Sequence, residues 1–421
     1  MPELRDARMR RALEAGCVAV AVVGLTIAQL FRQTGVHSWD TVWAEDGKYF
    51  FNGTNSVGDL FHQYAGYLQL TGRSFGLFAH LVPIDDVAIF YAVGGAALTS
   101  LMAAAVWYFS EQLVMSRVLR VVLALQVVVL PAMLLEQVAN GVNAMWAVLY
   151  AGWWALVYRP RHTVGVVGAS LVAALAVCSS SLALVFVPLA AVLAWRRPGR
   201  YRIVAAAYAA GCLLQVVVTL GAPEVESSAH HATDLPGIFS IRVLGSMLLG
   251  EQWVGDAWSA IGWGLAALAV AVAVGWLVVL AIRGKGEPRV FGLVAVGYAV
   301  FLYFAELWVR GSVLMRIGSE YHSFGARYSS LSIWLLTAGL VLLVSSVSNA
   351  RVVRFAVVVI VVWFAVTSIA GFRGTTPRSQ GPGWKTSVQL GRQACRDGAA
   401  QVELQVVPYP FNITISCADL G

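Results

Sequence analysis

Apolar stretches close to twenty residues long recur from one end of this chain to the other. A helix rises 1.5 Å per residue, so each such stretch is long enough to cross a hydrocarbon layer. Within that layer every backbone polar group must be satisfied internally, which leaves helices as the expected spanning element for runs of this kind. Eleven runs are read as spans: 12–31, 87–109, 118–135, 143–158, 163–178, 181–195, 203–220, 258–282, 290–309, 328–348 and 353–371. Only 12% of the residues are charged and mean hydropathy is +0.72, against about 25% charge in an average soluble domain. The expectation is an all-α polytopic membrane protein. The first run lacks a small-residue cleavage site and reads as a retained helix.

The net charge of +7 raises the question of nucleic acid. The distribution answers it. With the N-terminus inside, behind Arg5, Arg8, Arg10 and Arg11, the later inside turns hold Arg117 and Arg120, Arg159 and Arg161, Arg196 to Arg202, Arg283 to Arg289, and Arg351 and Arg354. Each is basic, as the positive-inside rule requires. The other side receives Asp40, Glu45, Asp46, Asp59, Asp85, Asp86, Glu136, Glu224, Glu226, Asp234, Glu251 and Asp256. Shifting the count by one helix would destroy this separation. The basic residues therefore report topology, and no nucleic-acid partner is expected.

The inside turns are short; the outer segments are long. Residues 32–86 form a first outer loop, and 372–421 a tail placed outside, beyond a membrane domain of 1–371. In the tail, VELQVVPYPFNITIS alternates and is rich in β-branched residues, which predicts a small β-unit. Cys395 and Cys417 lie in this tail and form the natural disulfide pair if it is extracytoplasmic. Cys17, Cys178 and Cys212 sit in or beside apolar runs and read as packing residues.

The chemistry concentrates in SWDTVWAEDGKYF, residues 38–50. Glu45 and Asp46 are adjacent, with Trp43, Tyr49 and Phe50 beside them and Asp40 upstream. Partial burial beside aromatic rings raises a carboxylate's pKa toward the range of a general base. Two solvated loop acids, or a metal-ligand pair, are the alternatives. Neighbours on a helix point about 100° apart, so one acid can face a cavity while the other holds a neighbour. Downstream, Phe61, Tyr64, Tyr67, Leu68 and Leu70 approximate a helical stripe, predicting a helix in the interface plane that ends near Arg73. RSFGLFAHLVPI is too short to span and reads as re-entrant or interfacial.

An acidic pair on an amphipathic loop directly after the first helix resembles the GT-C superfamily of membrane glycosyltransferases. WAEDG, then YAGYL followed by Arg73, with NAMW at Asn143 to Trp146 and RYS at Arg327 to Ser329, resembles more narrowly a group of bacterial membrane proteins of that architecture. The resemblance covers most of the membrane region and not the tail. It implies inverting transfer of a monosaccharide from a polyprenyl-phosphate donor to a cell-envelope glycan, lipid or protein, at the outer face of a bacterial cytoplasmic membrane. It places the base at Asp46 or Glu45, with Asp46 preferred.

A lipid phosphate needs cationic donors at the membrane surface, and arginine's planar fork suits phosphate oxygens. The outer candidates are Arg327 with Tyr328, then Arg310, Arg316 and Arg73; an interfacial anchor is the other reading of such residues. Cavity or substrate contacts are expected of Asp40, Trp43, Tyr64, Tyr67, Glu136, Asn143, Trp146 and His322. A divalent metal is compatible with the acids but not required by them. His230-His231 lacks a third ligand at useful spacing, and no zinc, Walker or dinucleotide motif occurs. A transporter or lipid flippase, which would favour ionisable groups at mid-membrane depth, and a non-catalytic envelope scaffold are the rival classes.

Overall fold

The computed structural model describes residues 2–129, 137–221, 235–310, 326–375 and 377–420, with side chains undescribed at 2–13, 251–252, 309–310, 326 and 377. Helix α1 is Pro2–Leu30. A two-residue hairpin, β1 (Gln63–Tyr64) and β2 (Tyr67–Leu68), precedes α2 (Leu70–Ala79). The bundle then runs through α3 (Val87–Phe109), α4 (Arg117–Val129), α5 (Ala144–Val157), α6 (Thr163–Ser179), α7 (Val187–Arg196) and α8 (Tyr201–Leu220). Short helices α9 (Leu235–Phe239), α10 (Ser246–Leu249) and α11 (Glu251–Ile261) lead into α12 (Trp263–Arg283), α13 (Gly286–Arg310), α14 (Ala326–Ser345) and α15 (Ala350–Ala370). The tail holds α16 (Trp384–Arg396), β3 (Gln401–Gln405), β4 (Asn412–Ser416) and α17 (Cys417–Leu420).

Each of the eleven expected runs contains helix, but the helices are not alike. Among the described residues, six are long and apolar enough to cross a membrane: those over 84–112, 201–220, 263–283, 286–308, 327–345 and 350–370. Shorter apolar helices occupy the runs 12–31, 143–158, 163–178 and 181–195, and within 118–135 the described helix is Arg117–Val129. Burial sorts the helices by role. In α14, 83% of the most apolar window is buried, against 22% in α8 and α12 and 28% in α15. α14 is thus central, and α8, α12 and α15 present apolar side chains outward, among them Leu213, Leu220, Ile282 and Phe355. An apolar surface on that scale is not stable in water and belongs against lipid. Every residue of α5 (AMWAVLYAGWWALV) is buried, as a helix apolar on all sides must be.

Close packing of α13 on α14 depends on two glycines. A Cβ on Gly292 would lie 2.9 Å from Leu343, and one on Gly339 2.6 Å from Val296. Small residues at a crossing let two helices approach where no water-driven force holds them.

The two ends of the bundle differ in chemistry. At one end the basic turns meet. Gln112 donates to the Arg159 carbonyl (2.8 Å), Arg197 to the Val157 carbonyl (2.7 Å), Arg200 to the Arg161 carbonyl, and the Lys285 amide to the Ser346 carbonyl (3.0 Å). At the other end, loop 31–86 and the tail interleave. Gln33 bridges Gly374, and Trp43 bridges Val407 in parallel. Arg392 grips both oxygens of Asp85 at 2.9 and 2.8 Å, and Trp384 Nε1 donates to the Ile84 carbonyl (2.7 Å). Val42, Phe51 and Ala79 share one apolar cluster with Trp384, Val388, Leu404 and Ile413.

The expected β-unit of the tail is present. β3 and β4 pair antiparallel with Val402 opposite Ile415 and Leu404 opposite Ile413, the inward-facing positions of an alternating pattern. Cys395 and Cys417 form a disulfide, with Cα atoms 5.5 Å apart. The expected helix over 61–73 is corrected. Ala65 (φ 48°) and Gly66 (φ 84°) both adopt left-handed backbone, which turns the chain into a hairpin. Helix starts only at Leu70.

Candidate functional site

Glu45 and Asp46 stand where a π-helical turn, Asp46–Phe51, begins. Its wide-turn bond, Asn52 N–H to the Gly47 carbonyl at 3.2 Å, is a geometry often found at functional positions. Gly47 is held by the tail, since a Cβ there would lie 2.8 Å from Ile413. The two carboxylates diverge from this point.

Asp46 is fully buried. Its Oδ2 accepts from the Gly141 amide (2.9 Å) and its Oδ1 from the Val142 amide (2.7 Å). Desolvation pushes its pKa up to about 7, against the opposing pull of those two amides and of Arg378. That value would suit a general base, but geometry has to come first. Both oxygens are committed to backbone, and Asp46 is not among the residues that line the cavity. Its observed work is to clamp the turn that leads into α5. Arg378 clamps the same turn from the tail, donating to the carbonyls of Val138 (2.7 Å) and Ala139 (3.1 Å) and to Thr41 and Ser38. Burial lowers the Arg378 pKa to about 10, with Asp46 opposing the shift.

Glu45 lines a cavity of about 290 Å³, near the lower end of the ~300–1,000 Å³ usual for small-molecule sites. Its walls come from the β1–β2 hairpin (Tyr64 to Tyr67), the start of α5 (Asn143, Met145, Trp146), the serines after α6 (Ser180, Ser181), α13 (Ala305, Glu306) and α14 (Arg327, Tyr328). All of these lie at the loop-and-tail end of the bundle. Glu45 Oε1 accepts from Arg327 Nη1 at 3.0 Å. Arg327 also donates to the Tyr328 hydroxyl (3.3 Å), and its carbonyl accepts from Gln137 (3.0 Å). Glu45 Oε2 is buried with no hydrogen-bond partner among the described residues. A buried carboxylate oxygen without a partner is costly, so Oε2 can accept a hydrogen bond from a donor that enters the cavity.

The structure therefore gathers Glu45, Arg327, Tyr328, Tyr64, Tyr67, Asn143 and Trp146, as the sequence suggested. It separates others. Asp46 is a backbone clamp, so the preference for it over Glu45 is corrected on geometry. Arg73 is buried and turned toward its own loop, donating to the carbonyls of Gly53 and Gln63 and to Thr54 Oγ1 (3.1 Å). Committed to those acceptors, it is a loop brace rather than a phosphate ligand. Asp40 accepts from the Lys385 amide (3.2 Å) at the start of α16, a helix N-terminus where an acid is favoured. Trp43 packs with Ala44, Phe50 and Val142 behind the cavity wall. Glu136, Arg316 and His322, like His230-His231, lie outside the described residues, as does the Arg310 side chain.

Sequence reasoning missed Glu306 and the serines. Glu306 is buried in α13 and lines the cavity with Glu45. Its signal was present as the lone acid inside the 290–309 run, and intramembrane acids are costly enough to mark function. Ser180 and Ser181 follow Ser179, whose hydroxyl bonds Thr71 Oγ1 at 2.6 Å; nothing in their spacing pointed to a site. Among the described residues no group of three His, Cys, Asp or Glu side chains is placed to hold a metal ion. Compared with known proteins, the chain matches no family model and no curated sequence.

Proposed function

We propose that this protein is an inverting glycosyltransferase that moves a monosaccharide from a polyprenyl-phosphate donor to a cell-envelope acceptor. The observation that carries the reading is the buried Glu45 carboxylate at the cavity wall, held by Arg327 through one oxygen and without a hydrogen-bond partner at the other among the described residues. In this reading Oε2 takes the proton of an acceptor hydroxyl. The resulting oxygen nucleophile attacks the anomeric carbon, and the bond from that carbon to the phosphate oxygen breaks. The electron pair leaves with the polyprenyl phosphate. Arg327 orients the base and, with the Tyr328 hydroxyl, supplies donors where leaving-group charge develops. Tyr64, Tyr67 and Trp146 offer ring faces and polar atoms to the sugar. The acidic loop resembles that of GT-C enzymes, which supports an extracytoplasmic site in a bacterial cytoplasmic membrane, and the basic turns support a cytoplasmic N-terminus.

The test incubates purified protein with radiolabelled polyprenyl-phosphate sugars and a cell-envelope acceptor extract. Glu45→Gln is expected to lower label transfer by about 10²–10⁴-fold, the usual contribution of a general base. Undiminished transfer by that variant would remove Glu45 from the role. Absence of transfer by the wild type, with donor lipid instead crossing proteoliposomes, would replace the enzyme with a flippase.

A further inference from the structure

Tyr64, which lines the cavity, packs against Tyr49 with ring centroids 5.4 Å apart. Tyr49 is 40% exposed and carries Lys48 Nζ 5.5 Å from its ring centre. The same Lys48 Nζ lies 5.5 Å from the ring of Phe411, in the turn between β3 and β4. Two residues earlier in the same turn, Tyr409 is 80% exposed. A row of rings and one cation thus runs from Phe411 of the tail hairpin, over the π-helical turn, to Tyr64 in the cavity wall.

We infer that this row is the acceptor track, and that the acceptor is a glycan chain several sugars long. The inference rests on the glycosyl-transfer reading and names its second substrate. Flat apolar sugar faces stack on aromatic rings while their hydroxyls reach water and polar tips, which is the pairing an amphipathic tyrosine offers. Lys48 is exposed and adds a hydroxyl or carboxylate donor between two rings. The row has the direction an acceptor needs, with its terminal sugar delivered past Tyr64 to Glu45. Exposed tyrosine and lysine also anchor proteins at lipid interfaces. Ring contact with Tyr64 of the cavity wall, and a contribution from the tail hairpin, favour the glycan.

The experiment measures equilibrium binding, without donor, of tetra- to octasaccharides of mannan, arabinan and galactan to the full-length protein in nanodiscs. The wild type is expected to bind at least one chain more tightly than its monosaccharide. Tyr49→Ala and Phe411→Ala should each weaken that binding about tenfold, and Lys48→Met less. Retained affinity in both ring variants, or no binding by any member of the panel, overturns the track. Because no transfer is scored, the two readings can fail separately. Glu45→Gln losing transfer while ring variants bind normally sinks only the track. Ring-dependent binding alongside undiminished transfer by Glu45→Gln sinks only the base. Thermal unfolding of the ring variants, expected within a few degrees of wild type, separates lost contact from lost fold.

Discussion

Two neighbouring acids, identical in charge and one bond apart along the chain, do different work here. Asp46 is sealed under the turn before α5 and Glu45 opens on the cavity. The raised pKa of Asp46 has a consequence for stability. Its folded value, about 7, lies above the ordinary 3.8, so between those limits the folded state binds more proton than the unfolded one. Stability from this group is full below pH 3.8 and falls as pH rises to about 7. Denaturant titrations from pH 4 to 8 should show that slope in wild type and lose it in Asp46→Asn. The same variant turns an amide toward two backbone N–H donors that need acceptors, and is expected to cost about 1–3 kcal/mol at neutral pH. Arg327→Ala strands the Glu45 carboxylate. Both side chains are largely buried, at 21% and 12% exposure, so about 3 kcal/mol is expected, with Arg327→Lys recovering part of it in the same melts. The acidic pair itself was legible in WAEDG. Which acid faces the cavity was not, because the divergence depends on the π-helical turn and on a partner about a hundred residues away.

At the level of elements, the largest departure from periodicity is YAGY. The apolar spacing of Phe61, Tyr64, Tyr67 and Leu68 fits a helix, yet Ala65 and Gly66 both take positive φ and the segment is a hairpin. A helical stripe and a short hairpin can carry the same spacing, and Ala-Gly is a weaker turn signal than Asn-Gly. Strain of this kind tends to persist only where the surroundings impose it; here it brings Tyr64 and Tyr67 to the cavity. Gly66→Val should cost about 1–2 kcal/mol from the left-handed backbone alone, and should weaken sugar-chain binding more than its effect on Tm explains. The tail hairpin, by contrast, was legible. Alternation in VELQVVPYPFNITIS places Val402, Leu404, Ile413 and Ile415 on one face, and no distant contact was needed to reveal it. The Cys395–Cys417 disulfide closes this unit. Its removal in a Cys395→Ser, Cys417→Ser variant should cost about 2–4 kcal/mol, read as a lower denaturation midpoint in the absence of reductant.

On the scale of the whole molecule, the charge pattern and the packing describe the same polarity. The basic turns meet one another at one end, and loop 31–86 meets the tail at the other. An alkaline phosphatase fused after residue 380 should be active, and one fused after residue 286 inactive; the reverse pattern would invert the topology. The amino-acid order by itself determined the helical membrane class, the separation of basic turns from acidic segments, and the tail hairpin, and it drew attention to Glu45 and Asp46. These follow from local quantities, namely the length and period of apolar runs and the count of charges between them. Only the tertiary structure decided that Asp46 and Arg73 are braces, that Glu306 joins Glu45 in one cavity, and that Arg378 reaches from the tail to hold the turn before α5. A side chain's role depends on which backbone donors and acceptors stand opposite it. In this fold those partners lie tens to hundreds of residues away, at distances no periodicity encodes.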